Sequence, residues 1–216
     1  MRWAAAVVVA ALMAVGTGTG QGLKTPADWK WAPDAPAKVI ESGEAKPDAM
    51  YFVAMPPGWH ITQGPGAVLY QPEYQARGNF VVEAEIFLFP EGGADEYGVF
   101  LGGRSLDAPA GRSYLAFVAR RDGQAAVIDR KPGGGTPLVN WATGAAAPQK
   151  GPDPMKNVFK VEAGPRELVF SVNGIQVTKL ERGTLAVDGP FGLRIGKGLN
   201  VHVSRLDLTS RLAPAK

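Results

Sequence analysis

The sequence predicts an all-β protein, a two-sheet antiparallel sandwich, and three observations carry that expectation. Short apolar runs alternate with period two, and no segment sustains a helical period. Turn residues punctuate these runs at short intervals: Pro56-Pro57-Gly58, Gly64-Pro65-Gly66, Gly92-Gly93, Asp122-Gly123, Gly133-Gly134-Gly135, Gly164-Pro165 and Asp188-Gly189-Pro190. Asn173-Gly174 sits between two alternating runs, where a tight hairpin turn needs two residues tolerant of positive φ. The 28 glycines and 18 prolines show no low-complexity repeat, so they supply turns rather than disorder. A chain of 216 residues is long enough for one β domain with a full core.

The N-terminus, MRWAAAVVVAALMAVGTGTG, places one Arg before an apolar run and ends in small residues. It reads as a secretory signal peptide over 1–20, cleaved after Gly20, with an uncleaved membrane anchor as the alternative. The run is shorter than the roughly 20 residues of a membrane-spanning helix, so no transmembrane span is expected in the mature chain. The expected location is secreted, periplasmic or cell-envelope. There is no cysteine, hence no disulfide framework and no lipoprotein thiol. The net charge of +3 is spread along the chain with acids interleaved, which gives no stripe for nucleic acid.

Residues 21–48 are rich in Pro, Ala and Lys and read as an arm ahead of a β-sandwich domain over 49–212 and a tail over 213–216. Trp29 and Trp31 interrupt the arm. They can form a stacking platform for a sugar or tack the arm onto the domain. Strands are expected near 50–54, 59–62, 67–71, 79–89, 96–102, 113–121, 124–130, 137–141, 157–163, 167–172, 175–180, 190–195 and 201–209. In the run 79–89, Phe80, Val82, Ala84, Ile86 and Leu88 form a core face, and Val81, Glu83, Glu85, Phe87 and Phe89 the other. The run 114–119 is apolar on both faces, as a central or covered strand would be.

Three hairpin registers follow. A two-residue turn at Asn173-Gly174 pairs Val172 with Ile175, Phe170 with Val177 and Leu168 with Lys179. A turn at Asp122-Gly123 pairs Ala119 with Ala126 and Phe117 with Ile128. A loop over 196–200 pairs Ile195 with Val201 and sets Arg194 opposite His202. The apolar phase then changes between Val203 and Leu206, which a bulge near Ser204-Arg205 would explain and which would set Phe191 opposite Leu206.

The segments PPGWHIT and GPGAVLYQP (56–72), NFVVEAEIFLFP (79–90), EYGVFLGGRSL (96–106), SYLAFVARRDGQ (113–124), VFSVNGIQVTKL and DGPFGLRIG (169–196) occur in that order. The chain thereby resembles the laminin-G-like, concanavalin A-like jelly roll of the secreted bacterial 3-keto-disaccharide hydrolase-like family. The resemblance implies two antiparallel sheets and association with carbohydrate. It carries no catalytic residue over.

Candidate chemistry is sparse. Glu83 and Glu85 share a strand face about 7 Å apart, and glycosidases work with two carboxylates, about 5–5.5 Å apart when retaining and wider when inverting. Laminarinase-like jelly-roll enzymes carry a third acid in such a series. Here Phe87 takes that position, and pairing of both acids with neighbouring cations is the alternative. His60 and His202 are the only histidines, so no transition-metal spacing exists. His60 joins Glu83 and Glu85 as a catalytic candidate. Calcium is the one cofactor weighed, through Asp95, Asp107, Asp153 and Asp188, although none forms a calcium-loop motif. The expected ligand-binding residues are Trp59, His60, Glu83, Glu85, Arg104, Trp141, Arg194 and His202. Arg104 can reach a ligand or pair with Asp107. The first functional reading is a non-catalytic carbohydrate-binding or surface-interaction protein. The alternatives are a hydrolase of glycosidic bonds in (keto-)disaccharides and a structural envelope protein.

Overall fold

Strands of period two have two faces, and burying one face of each requires a second sheet. The computed structural model describes residues 23–42 and 46–211. The signal peptide and the tail expected from the sequence lie outside the described residues. Fifteen strands follow in chain order: β1 (Lys30–Pro33), β2 (Lys38–Ile40), β3 (Ala49–Ala54), β4 (Trp59–Gln63), β5 (Ala67–Ala76), β6 (Asn79–Gly92), β7 (Tyr97–Arg104), β8 (Ser113–Ala119), β9 (Ala125–Lys131), β10 (Gly134–Ala142), β11 (Met155–Ala163), β12 (Glu167–Val172), β13 (Ile175–Glu181), β14 (Gly189–Ile195) and β15 (Leu199–Arg211). The described residues contain no helix. One sheet has seven strands in the order β1-β5-β14-β7-β8-β9-β10, and the other eight in the order β13-β12-β11-β6-β15-β4-β3-β2. β2 pairs β3 in parallel, and every other pair is antiparallel.

The alternation in β6 sets the main core. Phe80, Val82, Ala84, Ile86 and Leu88 are fully buried, while Val81, Glu83, Glu85, Phe87 and Phe89 stay partly open outside. From the other sheet, Val99, Leu101, Leu115, Phe117, Leu193 and Ile195 meet them. Phe117 stands edge-on to Phe159 and Phe170, with centroids 5.6 and 5.3 Å apart. These edge-to-face pairs let the negative face of one ring meet the positive rim of the next.

The N-terminal segment is tied in. β1 edges the seven-stranded sheet beside β5, and β2 edges the eight-stranded sheet beside β3. Trp29 is buried, edge-on to Phe52 and 4.8 Å from Trp59, and Trp31 also packs against the core. Both indoles tack the segment onto the domain instead of forming an exposed platform.

Each expected hairpin register is corrected in part. At Asn173-Gly174, φ is +53° and +78° and Val172 opposes Ile175. Beyond the turn an extra residue enters at Val177, so Phe170 opposes Thr178 and Leu168 opposes Leu180. Val177 and Leu180 are three apart, and only a bulge lets both pack on the core. At Asp122-Gly123 the loop has three residues, closed by Arg120 N–H donating to Gln124 O at 2.8 Å. Ala119 therefore opposes Ala125, and Phe117 opposes Val127. Both strands are apolar on both faces, so side-chain pattern has no preference between the two registers and the loop decides.

The third correction is the largest. β14 and β15 do not pair, because they belong to opposite sheets. The loop between them is held by other segments: Gly196 N–H donates to Glu96 O (2.7 Å), Lys197 N–H to Asp95 Oδ2 (2.9 Å), Gly198 N–H to Gly64 O (3.1 Å), and Gly198 O accepts from Gly93 N–H (2.7 Å). Arg194 therefore opposes Gly98 and Val68, while His202 opposes His60 and Phe87. The expected bulge does fall between Val203 and Arg205, but against β6, and Leu206 opposes Ala84 rather than Phe191.

Candidate functional site

Because Arg194 and His202 lie on opposite outer faces, the expected ligand residues divide into groups. The outer face of the eight-stranded sheet carries Glu83, Glu85, His60 and His202. Glu83 accepts from Arg205 Nη2 at 2.6 Å, and Glu85 accepts from Ser204 Oγ at 2.8 Å and pairs with Lys156 Nζ at 3.5 Å. The Ser204 hydrogen bond, with Lys156 and Arg205 behind it, outweighs desolvation and holds the Glu85 carboxyl below its ordinary range. An acid held ionised in this way is poorly suited to deliver a proton. His60 stands edge-on to Tyr51 and Phe89, at 5.8 and 5.4 Å, with its ring centroid 6.3 Å from that of His202. His202 Nε2 lies 2.9 Å from Pro57 O, so that nitrogen carries the proton and donates.

Burial first, and then the neighbouring His202, pushes the His60 pKa below its ordinary 6.5. The unfolded chain then takes up a proton before the folded one does. Stability is expected to fall as pH drops through 6.5, and to stop falling below the folded pKa. His60→Phe removes this component. Denaturation from about pH 7.5 to about pH 5.5 should show a smaller loss in the variant than in the native protein. Equal losses would exclude His60 as a source.

The outer face of the seven-stranded sheet is built differently. Val68, Tyr70, Phe100, Tyr114, Ala116, Val118, Ala126 and Ile128 form a second apolar cluster there, closed by Ala32 and Leu106. The Phe100 ring stands edge-on to Tyr70 and Tyr114, at 6.4 and 5.4 Å. Arg112 fastens the covering loop: it donates to Leu106 O (3.1 Å), Ala32 O (2.9 Å), Pro33 O (3.1 Å) and Asp34 Oδ1 (3.3 Å).

Beside this cluster lies a charged pocket of about 340 Å³, lined by Asp34, Arg112, Tyr114, Arg130, Lys131 and Arg194 together with Pro109, Gly133 and Gly134. Its volume falls within the range of about 300–1,000 Å³ usual for small-ligand sites. Arg194 has room because Gly66 lies beside its tip; a Cβ on Gly66 would sit 2.6 Å from Asp34 Oδ2 and 3.2 Å from Arg194 Nη2. Glu96, 3% exposed, accepts from Arg194 Nε at 3.1 Å and from Arg130 Nη2 through the same oxygen. Asp34 Oδ2 lies 2.7 Å from Arg194 Nη1, a close ion pair. One buried donor beside the pocket, Arg130 Nε, has no hydrogen-bond acceptor. Burial alone would lower the Arg194 pKa, but the Tyr114 oxygen, Asp34 and Glu96 more than offset it, so the net shift is upward and the charge stays. Burial likewise pushes the Tyr114 phenol up, keeping it neutral.

The remaining expected residues are scattered. Trp141 packs on the second apolar cluster with the Arg120 guanidinium 3.8 Å from its ring centroid, so one indole face is already occupied. Trp59 packs against the main core and Trp29. Arg104 is exposed at the end of β7, and Asp107 instead accepts from Tyr70 Oη (2.8 Å) and pairs with Lys30 (3.6 Å). Among the described residues, no three His, Asp or Glu side chains come together to hold a metal. Asp95 bonds backbone N–H groups at Glu96 and Lys197, and Asp188 bonds Gly78 N–H and Arg182. Sequence reading missed Asp34, Glu96, Arg112 and Arg130. Arg130 lies in β9, while Asp34, Glu96 and Arg112 each lie one residue outside a strand, where the sequence offers no signal.

Solved structures of similar shape exist at very low sequence identity. A carbohydrate-binding module, CBM66 from Bacillus subtilis, superposes with a TM-score of 0.61 at 10% identity, covering 85% of this chain and 96% of that one. The Bacteroides ovatus mixed-linkage glucan GH16 protein, in complex with a G4G4G3G product, gives 0.55 at 9% identity over 87% and 97%. The carbohydrate recognition domain of Emp46p, in a potassium-bound form, gives 0.54 at 8% identity over 84% and 88%. The fold is a concanavalin A-like sandwich. No protein-family model matches the chain, and no curated protein matches it. In this concanavalin A-like frame, the polar pocket belongs to the seven-stranded sheet and the Glu83/Glu85 ladder to the eight-stranded one. Among the described residues no helix is long and apolar enough to cross a membrane.

Proposed function

We propose that this protein is a non-catalytic carbohydrate-binding β-sandwich, acting outside the cytoplasm, with its ligand on the outer face of the seven-stranded sheet. One observation carries the reading: a pocket of ligand size in which guanidinium, carboxylate and phenol groups line the wall beside the Tyr114 ring and Pro109. Sugars need this mixture, with aligned polar groups for hydroxyls and apolar surface for the ring. The similar solved structures named as a carbohydrate-binding module and a carbohydrate recognition domain support the ligand class. So does the resemblance of the sequence to the 3-keto-disaccharide hydrolase-like family. The carboxylates nearest a glycosidase pair, Glu83 and Glu85, are committed to Arg205, Ser204 and Lys156, which favours binding over hydrolysis.

Glycan-array screening followed by titration calorimetry tests this. Saturable binding to at least one oligo- or polysaccharide is expected, with no release of reducing ends. A folded protein that binds no glycan would overturn the reading. Turnover of 3-keto-disaccharides would replace it with the hydrolytic alternative.

A further inference from the structure

We propose that the pocket on the seven-stranded sheet selects an acidic sugar, holding the carboxylate of a uronate residue between Arg130 and Arg194. The inference rests on the carbohydrate-binding reading above and adds the chemical class of the ligand.

A shared counter-ion is the starting point. Arg194 Nη1 is paired with Asp34 Oδ2 at 2.7 Å, while Arg130, its side chain 28% exposed, borders the open pocket. The two guanidiniums already meet at one carboxylate, sharing the Glu96 Oε1 oxygen. Their planar forks suit a second carboxylate for the same geometric reason. A neutral hydroxyl would fill a donor but leave the charge uncompensated.

The charge balance narrows the ligand further. Three guanidiniums, from Arg112, Arg130 and Arg194, face two carboxylates, from Asp34 and Glu96, and Lys131 is paired with Asp129 at 2.8 Å. The excess is one positive charge. A monoanion neutralises it. A phosphate monoester, carrying roughly −1.5 to −2 near neutral pH, would overshoot and be repelled by Asp34 and Glu96. A volume of about 340 Å³ holds a sugar ring and not the carboxylate alone, and Tyr114 and Asp34 are placed on the wall for ring hydroxyls.

The test compares oligogalacturonate and oligoglucuronate with their carboxyl-reduced, neutral counterparts by calorimetry on the native protein. Sulfated oligosaccharide, acetate and inorganic sulfate serve as further arms. The uronates are expected to bind at least about tenfold more tightly than the reduced forms, the range of one charge-assisted hydrogen bond. Affinity should fall as sodium chloride is raised, because screening weakens a charge contact more than a hydroxyl contact. Arg130→Gln should cost at least about tenfold for the uronate and much less for any neutral glycan. Arg130 is chosen because Glu96 keeps Arg194 as a partner when it is lost. If the variant does not fold, the comparison of acidic with reduced sugar still decides. Equal affinity for the two, in a protein that binds glycans, would overturn the uronate inference and leave the carbohydrate reading standing. Preference for sulfated sugar would overturn it as well. Acetate or sulfate alone binding as tightly as the uronate would reduce the pocket to a small-anion site. Absence of any glycan binding would remove the broader reading itself.

Discussion

Gly102→Ala should destabilise the protein by about 3 kcal/mol or more, through two separable causes. Gly102 has φ +63°, in the left-handed region, where a Cβ costs about 1–2 kcal/mol. A Cβ there would also lie 1.8 Å from Ala186 O and 2.6 Å from Ala186 C. Those atoms are backbone, so no rotamer change relieves the contact. Either β7 or the segment around Ala186 must move, and the neighbouring Val187 is buried in the main core. Gly174→Ala is the control, since φ there is +78° and its Cβ would meet nothing within 4 Å. It should show the conformational part alone, about 1–2 kcal/mol. Urea denaturation of both variants separates the causes. Equal losses at the two positions would mean that the Ala186 contact relaxes freely.

Asn157→Leu should cost about 2–4 kcal/mol and loosen the segment around Ala147. Asn157 is fully buried at the end of the main core. Its Nδ2 donates to Tyr97 Oη (2.8 Å) and Ala147 O (3.1 Å), and its Oδ1 accepts from Ala147 N–H (2.7 Å) and Asn173 Nδ2 (2.8 Å). Asn173, the turn residue of the β12–β13 hairpin, also accepts from Val158 N–H and donates to Ala145 O. One amide thus joins the core, a hairpin turn and a long connection. Leucine matches its size but leaves a Tyr hydroxyl, a backbone N–H and a carbonyl without partners. Burial pushes the Tyr97 phenol up to about 12, so it stays neutral and needs a partner rather than a counter-charge. Tyr97→Phe removes one member only and should cost about 1 kcal/mol. Amide exchange at Ala147 should accelerate in the leucine variant. Unchanged exchange with unchanged stability would show that apolar packing replaces the network fully.

The strands were legible where burial is one-sided. Phe80–Leu88 alternates cleanly, and its two faces are found as read. The turn at Asn173-Gly174 was legible from its chemistry, but the bulge at Val177 depends on how far Leu180 can reach the core. Pairing partners were less legible, because strands covered on both faces offer no phase to read. Gly196–Asn200 has the composition of a hairpin loop, yet its backbone bonds go to Gly64, Gly93, Asp95 and Glu96, far away in sequence. That one misreading joined Arg194 to His202. The pocket was illegible for the same reason. Asp34, Glu96, Arg112, Arg130 and Arg194 come from five separate segments, and no spacing along the chain encodes their meeting.

The position of β15 has a consequence for the order in which the molecule can be assembled. In the eight-stranded sheet it lies between β6 and β4, so among the described residues β2, β3 and β4 reach the rest of that sheet only through β15. Its partners in β4 were synthesised about 140 residues earlier, as in the pairing of Asn200 with Thr62. Contacts so distant in sequence close late and slowly. A nascent chain therefore holds the early strands without their neighbour until residues 199–211 have emerged, and the larger sheet closes only after that.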